Sequence, residues 1–209
     1  MLSKNKIKYI HSLELKKNRI AERAFVAEGN KLVADMLPFF ACKLLVAKPC
    51  WMATQGDISA EELLVAEEED IRKASFLKNP QDVLAVFAMP DWQIETASPQ
   101  QDLVLALDGI QDPGNLGTII RLADWFGMEH IVCSKDTADV FNPKVVQATM
   151  GALAHVKVCY TDLETYLTAC RKQSIPVYGT FLDGENMYDR TISSRGVIVM
   201  GNEGNGIGK

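Results

Sequence analysis

The sequence predicts an α/β protein in which a small N-terminal αβ domain precedes a larger domain built on a parallel sheet. Three observations carry this prediction. From Leu103 onward, short continuous apolar runs alternate with helical stretches, the pattern of strands covered on both faces. The stretch Met89–Gln101 is polar, holds two prolines and separates two apolar strands, as a linker does. The composition, 47% hydrophobic and 23% charged over 209 residues, is that of a globular chain of one to two domains.

The first domain, residues 1–97, opens with helical, lysine-rich sequence. Strand Phe25–Glu28 follows, then a helix from Asn30 to about Phe39 with Asn30 as a candidate N-cap. Strand Cys42–Lys48, a short helix near Asp70–Ser75 and strand Asp82–Phe87 complete it. The second domain, residues 98–209, reads more regularly. Strand Leu103–Asp108 leads through a turn to helix Gly117–Phe126. Strand His130–Ser134 precedes helix Asn142–Thr149, and strand Val156–Tyr160 precedes helix Asp162–Gln173. Strands Pro176–Thr180 and Gly196–Met200 close the set.

Several function classes are disfavoured at once. The longest apolar run, Met36–Cys42, contains Pro38 and is far short of the roughly 20 residues that a membrane span requires. Met1–Leu15 alternates lysine with apolar residues and lacks the apolar block of a secretory signal. The five cysteines are scattered, without a Cys-x-x-Cys, and His11, His130 and His155 are isolated. Reduced thiols in a cytoplasmic protein are expected, with neither a disulfide framework nor a metal site.

The net charge of −5 argues against polyanion binding by the whole surface. Its distribution is uneven. Residues 1–31 carry eight basic and three acidic groups, a balance of +5, so the remainder stands at −10. Glu61–Asp70, with six carboxylates, reads as a solvated face. A basic N-terminal segment on an acidic protein is a candidate polyanion contact, and equally an ordinary charged helix surface.

Ligands of parallel α/β sheets gather beyond the carboxyl ends of the strands. Two such ends are unusual here. After Leu103–Asp108 comes Asp-Pro-Gly-Asn, Asp112–Asn115, a strong turn signal. Asn115 and Arg121 are the polar residues there that could face the strand ends, although Asn115 could merely cap the helix and Arg121 could lie on the surface. After Gly196–Met200 comes Gly-Asn-Glu-Gly-Asn-Gly, Gly201–Gly206, whose glycines allow close approach of backbone to a ligand. It is not a Walker A loop, which ending at Gly208-Lys209 would need glycine where Glu203 stands. It is not the dinucleotide fingerprint either, since its spacing is G-x-x-G-x-G and it does not follow the first strand. A nucleotide-dependent oxidoreductase is disfavoured because the first βα turn, GIQDPGNLG, Gly109–Gly117, lacks the pyrophosphate spacing.

The span LALDGIQDPGNLGTIIRLADWFGMEHIVCS resembles the first signature of the SpoU/TrmH family of RNA ribose 2′-O-methyltransferases, and VIVMGNEGNGI resembles the second. VVQATMGALAHVKV, Val145–Val158, is similar to the segment between them. The stretch KYIHSLELKKNRIAERAFVAEGNKLV is similar to the RNA-binding domain, related to a ribosomal-protein fold, that often precedes the methyltransferase. The resemblance covers essentially the whole chain. The third signature, containing Ser-Leu-Asn, does not occur before Lys209, so the sequence is expected to stop short of the segment that forms the family's trefoil knot.

The resemblance implies methyl transfer from S-adenosylmethionine to a ribose 2′-hydroxyl of structured RNA, ribosomal RNA more than transfer RNA, by a cytoplasmic homodimer. A non-catalytic RNA-binding protein on the same scaffold is the alternative. It implies Asn115, Arg121 and Glu203 as catalytic residues. Thr180, Phe181 and Leu182, in the loop after strand Pro176–Thr180, would line the adenosine pocket, and Gly201, Asn202 and Gly204 would contact the cofactor. Lys16, Lys17, Arg19 and Lys31 would meet RNA phosphates. A neutral arginine is expensive, so Arg121 is expected to stabilise a developing alkoxide or to grip a phosphate.

Overall fold

The computed structural model describes residues 2–208. They form two compact units: residues up to Pro90 together with Asp139–Ala154, and Asp91–Ala138 together with the residues from His155 on.

The first unit begins with helices α1 (Lys4–Ser12) and α2 (Lys16–Glu22), then strand β1 (Ala24–Glu28) and helix α3 (Asn30–Met36). Next come β2 (Cys42–Ala47), α4 (Pro49–Met52), β3 (Leu63–Val65), α5 (Glu68–Ala74) and β4 (Val83–Ala88). The sheet order is β1-β4-β2-β3, with β4 antiparallel to β1 and β2, and β3 parallel to β2. Alternate residues divide between its faces, as the period of two demands. Ala24, Val26, Leu44, Val46, Leu84 and Val86 pack with Ile10, Leu13, Ile71 and Ala74. On β1, Phe25 points the other way and stacks on Phe40, Phe87 and Phe141, with ring centroids 5.4, 5.8 and 4.8 Å away.

Phe141 comes from the distant segment Asp139–Ala154, which holds helix α7 (Pro143–Thr149). Phe141, Val145, Val146 and Leu153 are all buried. The segment is tied by charge as well. Arg19 is 1% exposed. Its Nη1 donates to the carbonyls of Leu13 and Glu14 at 2.8 and 2.6 Å, and its Nη2 donates to Asp139 Oδ2 at 2.6 Å. The expectation that Arg19 meets RNA phosphate is therefore corrected. Its guanidinium is an internal clamp, committed to two helix-end carbonyls and one carboxylate.

Other expectations shift locally. The helix expected to reach Phe39 ends at Met36: Leu37 still has helical backbone, but Pro38 has no N–H to donate to the Ala34 carbonyl and continue the ladder. Gly29, with φ +111°, is the N-cap of α3, not Asn30. The Asn30 side chain instead accepts from the Asp82 amide at 3.0 Å and donates to the Asp82 carboxylate at 2.9 Å. That bond and Lys48 hold the Asp82 carboxyl below its usual range. The acidic stretch is not wholly solvated either: it supplies β3 and the first turn of α5, and Asp70 is buried. Glu28, at the end of β1, accepts from Ser75 Oγ and from the Phe76 amide, and burial raises its carboxyl above the usual value.

The second unit carries β5 (Leu103–Asp108), α6 (Pro113–Trp125), β6 (His130–Ser134), β7 (Lys157–Thr161), α8 (Leu163–Lys172), β8 (Val177–Gly179) and β9 (Gly196–Gly201). All five strands are parallel, in the order β7-β6-β5-β9-β8. One core joins Val104, Ala106, Val132, Val197 and Val199 to Leu163, Cys170 and Ile175. The α/β architecture and the parallel sheet of the second half are as the sequence predicts. Among the described residues, no helix is long and apolar enough to cross a membrane.

Candidate active site

The site begins with register. Strand β5 pairs with β9 from Leu103↔Gly196 to Asp108↔Gly201, so the two strands end side by side. Each end opens into one of the unusual loops.

Beyond β5, Gly109 takes φ +67°, a conformation that glycine adopts readily. Asp112 then caps α6: its Oδ1 accepts from the Asn115 amide at 2.8 Å, and Pro113 fills the first helical position, where no N–H is needed. The helix thus starts four residues before the expected Gly117. The capping alternative for Asn115 is excluded, because Asp112 holds that place. The Asn115 carboxamide is left to reach across, and its Nδ2 donates to Glu203 Oε1.

Beyond β9, the loop closes on itself. Asn202 and Gly206 exchange backbone bonds of 2.9 and 2.8 Å. A Cβ on Gly201 would lie 2.2 Å from the Gly206 carbonyl carbon, so this crossing requires glycine. Asn202 Oδ1 accepts from the amides of Gly204 and Asn205 at 2.9 and 3.1 Å, and its Nδ2 donates to the Gly109 carbonyl at 2.8 Å. The Asn202 side chain therefore shapes the loop, and the Gly204 N–H is already engaged. The Gly208 amide donates to Asp108 Oδ2 at 2.7 Å, tying the loop's far end back to β5.

At β8, the Thr180 amide and hydroxyl both donate to the Val199 carbonyl, at 3.0 and 3.1 Å. The Phe181 ring folds back so closely over Gly179 that a Cβ there would meet it at 2.4 Å, with Ile207 alongside. Phe181 and Leu182 are exposed.

Arg121 stands apart from the Asn115–Glu203 pair. Six residues of α-helix amount to ~9 Å of rise and leave the two side chains ~120° apart around the axis. Arg121 shares an exposed stripe with Thr118, Leu122 and Trp125, and no hydrogen bond or ion pair engages it among the described residues. In the first unit, Lys16 and Lys17 are exposed on α2, and Lys31 is paired with Asp35 at 2.5 Å. Among the described residues, no cluster of three or more His, Cys, Asp or Glu could hold a metal ion.

Sequence reasoning missed Asp112 as the cap and the exposed apolar group Leu122, Trp125 and Phe126, which are 49, 84 and 69% exposed. The cap had a signal, since Asp-Pro at a helix start is a known pairing of cap and first-turn residue. The apolar group reads as a buried stripe, because apolar spacing on a helix does not say which flank is covered.

A parallel α/β unit with two linked loops at adjacent strand ends is a ligand-binding architecture. The chain belongs to the SpoU rRNA methylase family, whose model matches residues 102–209. A model of the MRM3-like substrate binding domain matches residues 4–85. The chain is 31% identical over 205 residues to the 23S rRNA (guanosine(2553)-2′-O)-methyltransferase RlmP of Bacillus subtilis, spanning 97% of this chain and 81% of that one. It is 35% identical to the mitochondrial rRNA methyltransferase 3 of Mus musculus, over 63% of this chain and 34% of that one. Among solved structures, a protein assigned to the TrmH family of RNA methyltransferases from Porphyromonas gingivalis superposes with a TM-score of 0.92 at 42% identity, over 100% of this chain and 84% of that one. An AdoMet-bound rRNA methyltransferase from Sinorhizobium meliloti gives 0.82 at 32% identity, over 100% and 82%.

Proposed function

We propose that this protein transfers a methyl group from S-adenosylmethionine to a ribose 2′-hydroxyl of structured ribosomal RNA, acting in the cytoplasm as a homodimer. The observation that carries the reading is the bond from Asn115 Nδ2 to Glu203 Oε1, which joins the two signature loops at the paired ends of β5 and β9. The family relationship and the rRNA methyltransferases among the relatives support it. On this reading residues 1–97 bind RNA and residues 98–209 carry the chemistry.

The loops fit an adenosyl sulfonium. Phe181 and Leu182 offer exposed apolar surface for an adenine, Gly201 and Gly204 keep the loop free of side chains although the Gly204 N–H is taken by Asn202, and Glu203 offers a negative charge for the sulfonium. S-adenosylmethionine, when bound, supplies a methyl group already activated for displacement. The chain's own residues then align the acceptor and remove its proton. The ribose oxygen forms its bond to the methyl carbon as the carbon–sulfur bond breaks and the thioether leaves. Asn115 fixes Oε1 of Glu203, and Oε2 takes the hydroxyl proton directly or through a water. Lys16, Lys17 and Lys31 hold RNA phosphates from the first unit.

Arg121 stays cationic, since its pKa exceeds about 12. Its place on the far edge of α6 from Asn115 suits action on the site of a second copy. The exposed Leu122, Trp125 and Phe126 beside it give that copy an apolar surface to cover. There the guanidinium stabilises the developing alkoxide or grips the adjacent phosphate.

The test is single-turnover methyl transfer to ribosomal RNA. Arg121→Ala is expected to lose 10²–10³ in rate, the scale of one removed oxyanion donor, with melting temperature and cofactor affinity unchanged. Arg121→Lys should not restore it fully, because a point charge does not replace the planar fork. Mixing Arg121→Ala subunits with Glu203→Gln subunits should recover part of the activity. A rate for Arg121→Ala within threefold of wild type would remove its catalytic role. Wild-type transfer only to transfer RNA would replace the substrate, and RNA binding without transfer would favour the non-catalytic alternative.

A further inference from the structure

We infer that Ser134, with Thr137, is a positioning residue that sets the glycine loop through the backbone of Gly109; the proposal rests on the methyltransferase reading above. Backbone pairing between β5 and β6 runs from Leu105↔Ile131 to Leu107↔Cys133 and stops there. Two buried hydroxyls take over beyond it. The Gly109 amide donates to Ser134 Oγ at 2.9 Å. Ser134 Oγ lies 3.0 Å from Thr137 Oγ1, which donates to the Leu107 carbonyl at 3.3 Å. Since Thr137 gives its proton to Leu107, Ser134 must give its own to Thr137. Every proton in the run is then placed, from the Gly109 N–H through Ser134 and Thr137 to the Leu107 carbonyl. Ser134 and Thr137 are 7% and 3% exposed, so water does not compete.

The carbonyl of the same residue faces the loop. The Gly109 carbonyl accepts from Asn202 Nδ2, while Asn202 Oδ1 holds the amides of Gly204 and Asn205. The Gly109 N–H and C=O lie in successive planar peptide units that meet at its Cα, so only the φ and ψ of Gly109 relate them. Ser134 holds the amide on one side and Asn202 holds the carbonyl on the other, so the two bonds together fix Gly109 at φ +67° and tie the Asn202 carboxamide, and with it Glu203, to the strand end. The hydrogen bonds on either side of Gly109 thus link the buried hydroxyls at the end of β6 to the tip of the loop. A residue that only filled space would need no hydroxyl at 134.

The experiment compares the intact chain with Ser134→Ala, Ser134→Thr and Thr137→Val, by hydrogen exchange across residues 201–208 well below the melting temperature, by S-adenosylmethionine calorimetry and by steady-state kinetics. Val197→Ala, a core truncation in β9, controls for general loss of stability. Ser134→Ala is expected to speed exchange at Gly204 and Asn205 at least tenfold. It should raise the S-adenosylmethionine Kd and KM at least tenfold and leave the KM for RNA within threefold. Ser134→Thr, which keeps the hydroxyl, should return all three to within threefold of wild type. Thr137→Val, near-isosteric, should move the same readouts in the same direction by a smaller factor, and it decides the matter if Ser134→Ala does not fold. Unchanged exchange in the hydroxyl deletions overturns the proposal, as does equal acceleration in Val197→Ala. Absence of S-adenosylmethionine binding by the wild type overturns the methyltransferase reading, while the exchange rates still decide whether Ser134 orders the loop.

Discussion

Arg19 sits at 1% exposure with its charge answered by Asp139 and by two backbone carbonyls. Deleting one partner of such a pair leaves the other buried and uncompensated, which costs about 3–5 kcal/mol. Arg19→Ala should therefore lower unfolding stability in urea by that order, and Arg19→Lys should recover little, because a lysine cannot serve three acceptors in one plane. In the sequence Arg19 is indistinguishable from Lys16 and Lys17, its neighbours in the same basic run. The difference arises from a residue 120 positions away, which no local pattern contains. Asn115 and Glu203 are legible for a related reason in reverse. Each lies in a local motif with its own turn chemistry, although the bond between them spans 88 residues.

Helix α6 shows how element boundaries and element faces separate. Its existence is plain from the apolar spacing, but that spacing puts its start at Gly117, because Asp-Pro-Gly-Asn also describes a turn. A cap and a turn use the same residues to the same end: a side-chain carboxylate meets a backbone amide two or three positions on. Asp112→Ala removes that acceptor and should cost about 0.5–2 kcal/mol in thermal or urea unfolding. It should also slow methyl transfer, because the first turn of α6 carries Asn115. Asp112→Asn keeps an acceptor and should leave stability within a few tenths of a kcal/mol. The faces are harder to assign. The helix buries Leu116, Ile120 and Ala123, while Leu122, Trp125 and Phe126 stand outside. Apolar character recurs on both flanks, so periodicity alone does not separate core from docking surface.

At the scale of the molecule, the first unit is not one continuous stretch of chain. Asp139–Ala154 belongs with it, bringing Phe141 onto Phe25 and burying Val145, Val146 and Leu153. The helix in this segment is legible in the sequence nearly to the residue, but the sheet it covers is not, since a seven-residue amphipathic segment fits any apolar face. A fragment of residues 1–97 should consequently expose Phe25 and Phe87, bind a hydrophobic dye and unfold without a sharp transition. The same fragment joined by a Gly/Ser linker to residues 139–154 should regain cooperative unfolding. A sharp, reversible transition for the bare fragment would show that its own core suffices.

The borrowed segment also sets a clock. A protein is synthesised from its N-terminus at roughly 5–20 residues per second, and domains ordinarily fold as they emerge. Here the first 90 residues set Phe40 and Phe87 against Phe25 but lack Phe141, the ring packed nearest to it. They must wait until residue 154 has been made, roughly 3–13 s later at that rate. Throughout that interval an aromatic face is open to chaperones, to neighbouring nascent chains and to the ribosome itself.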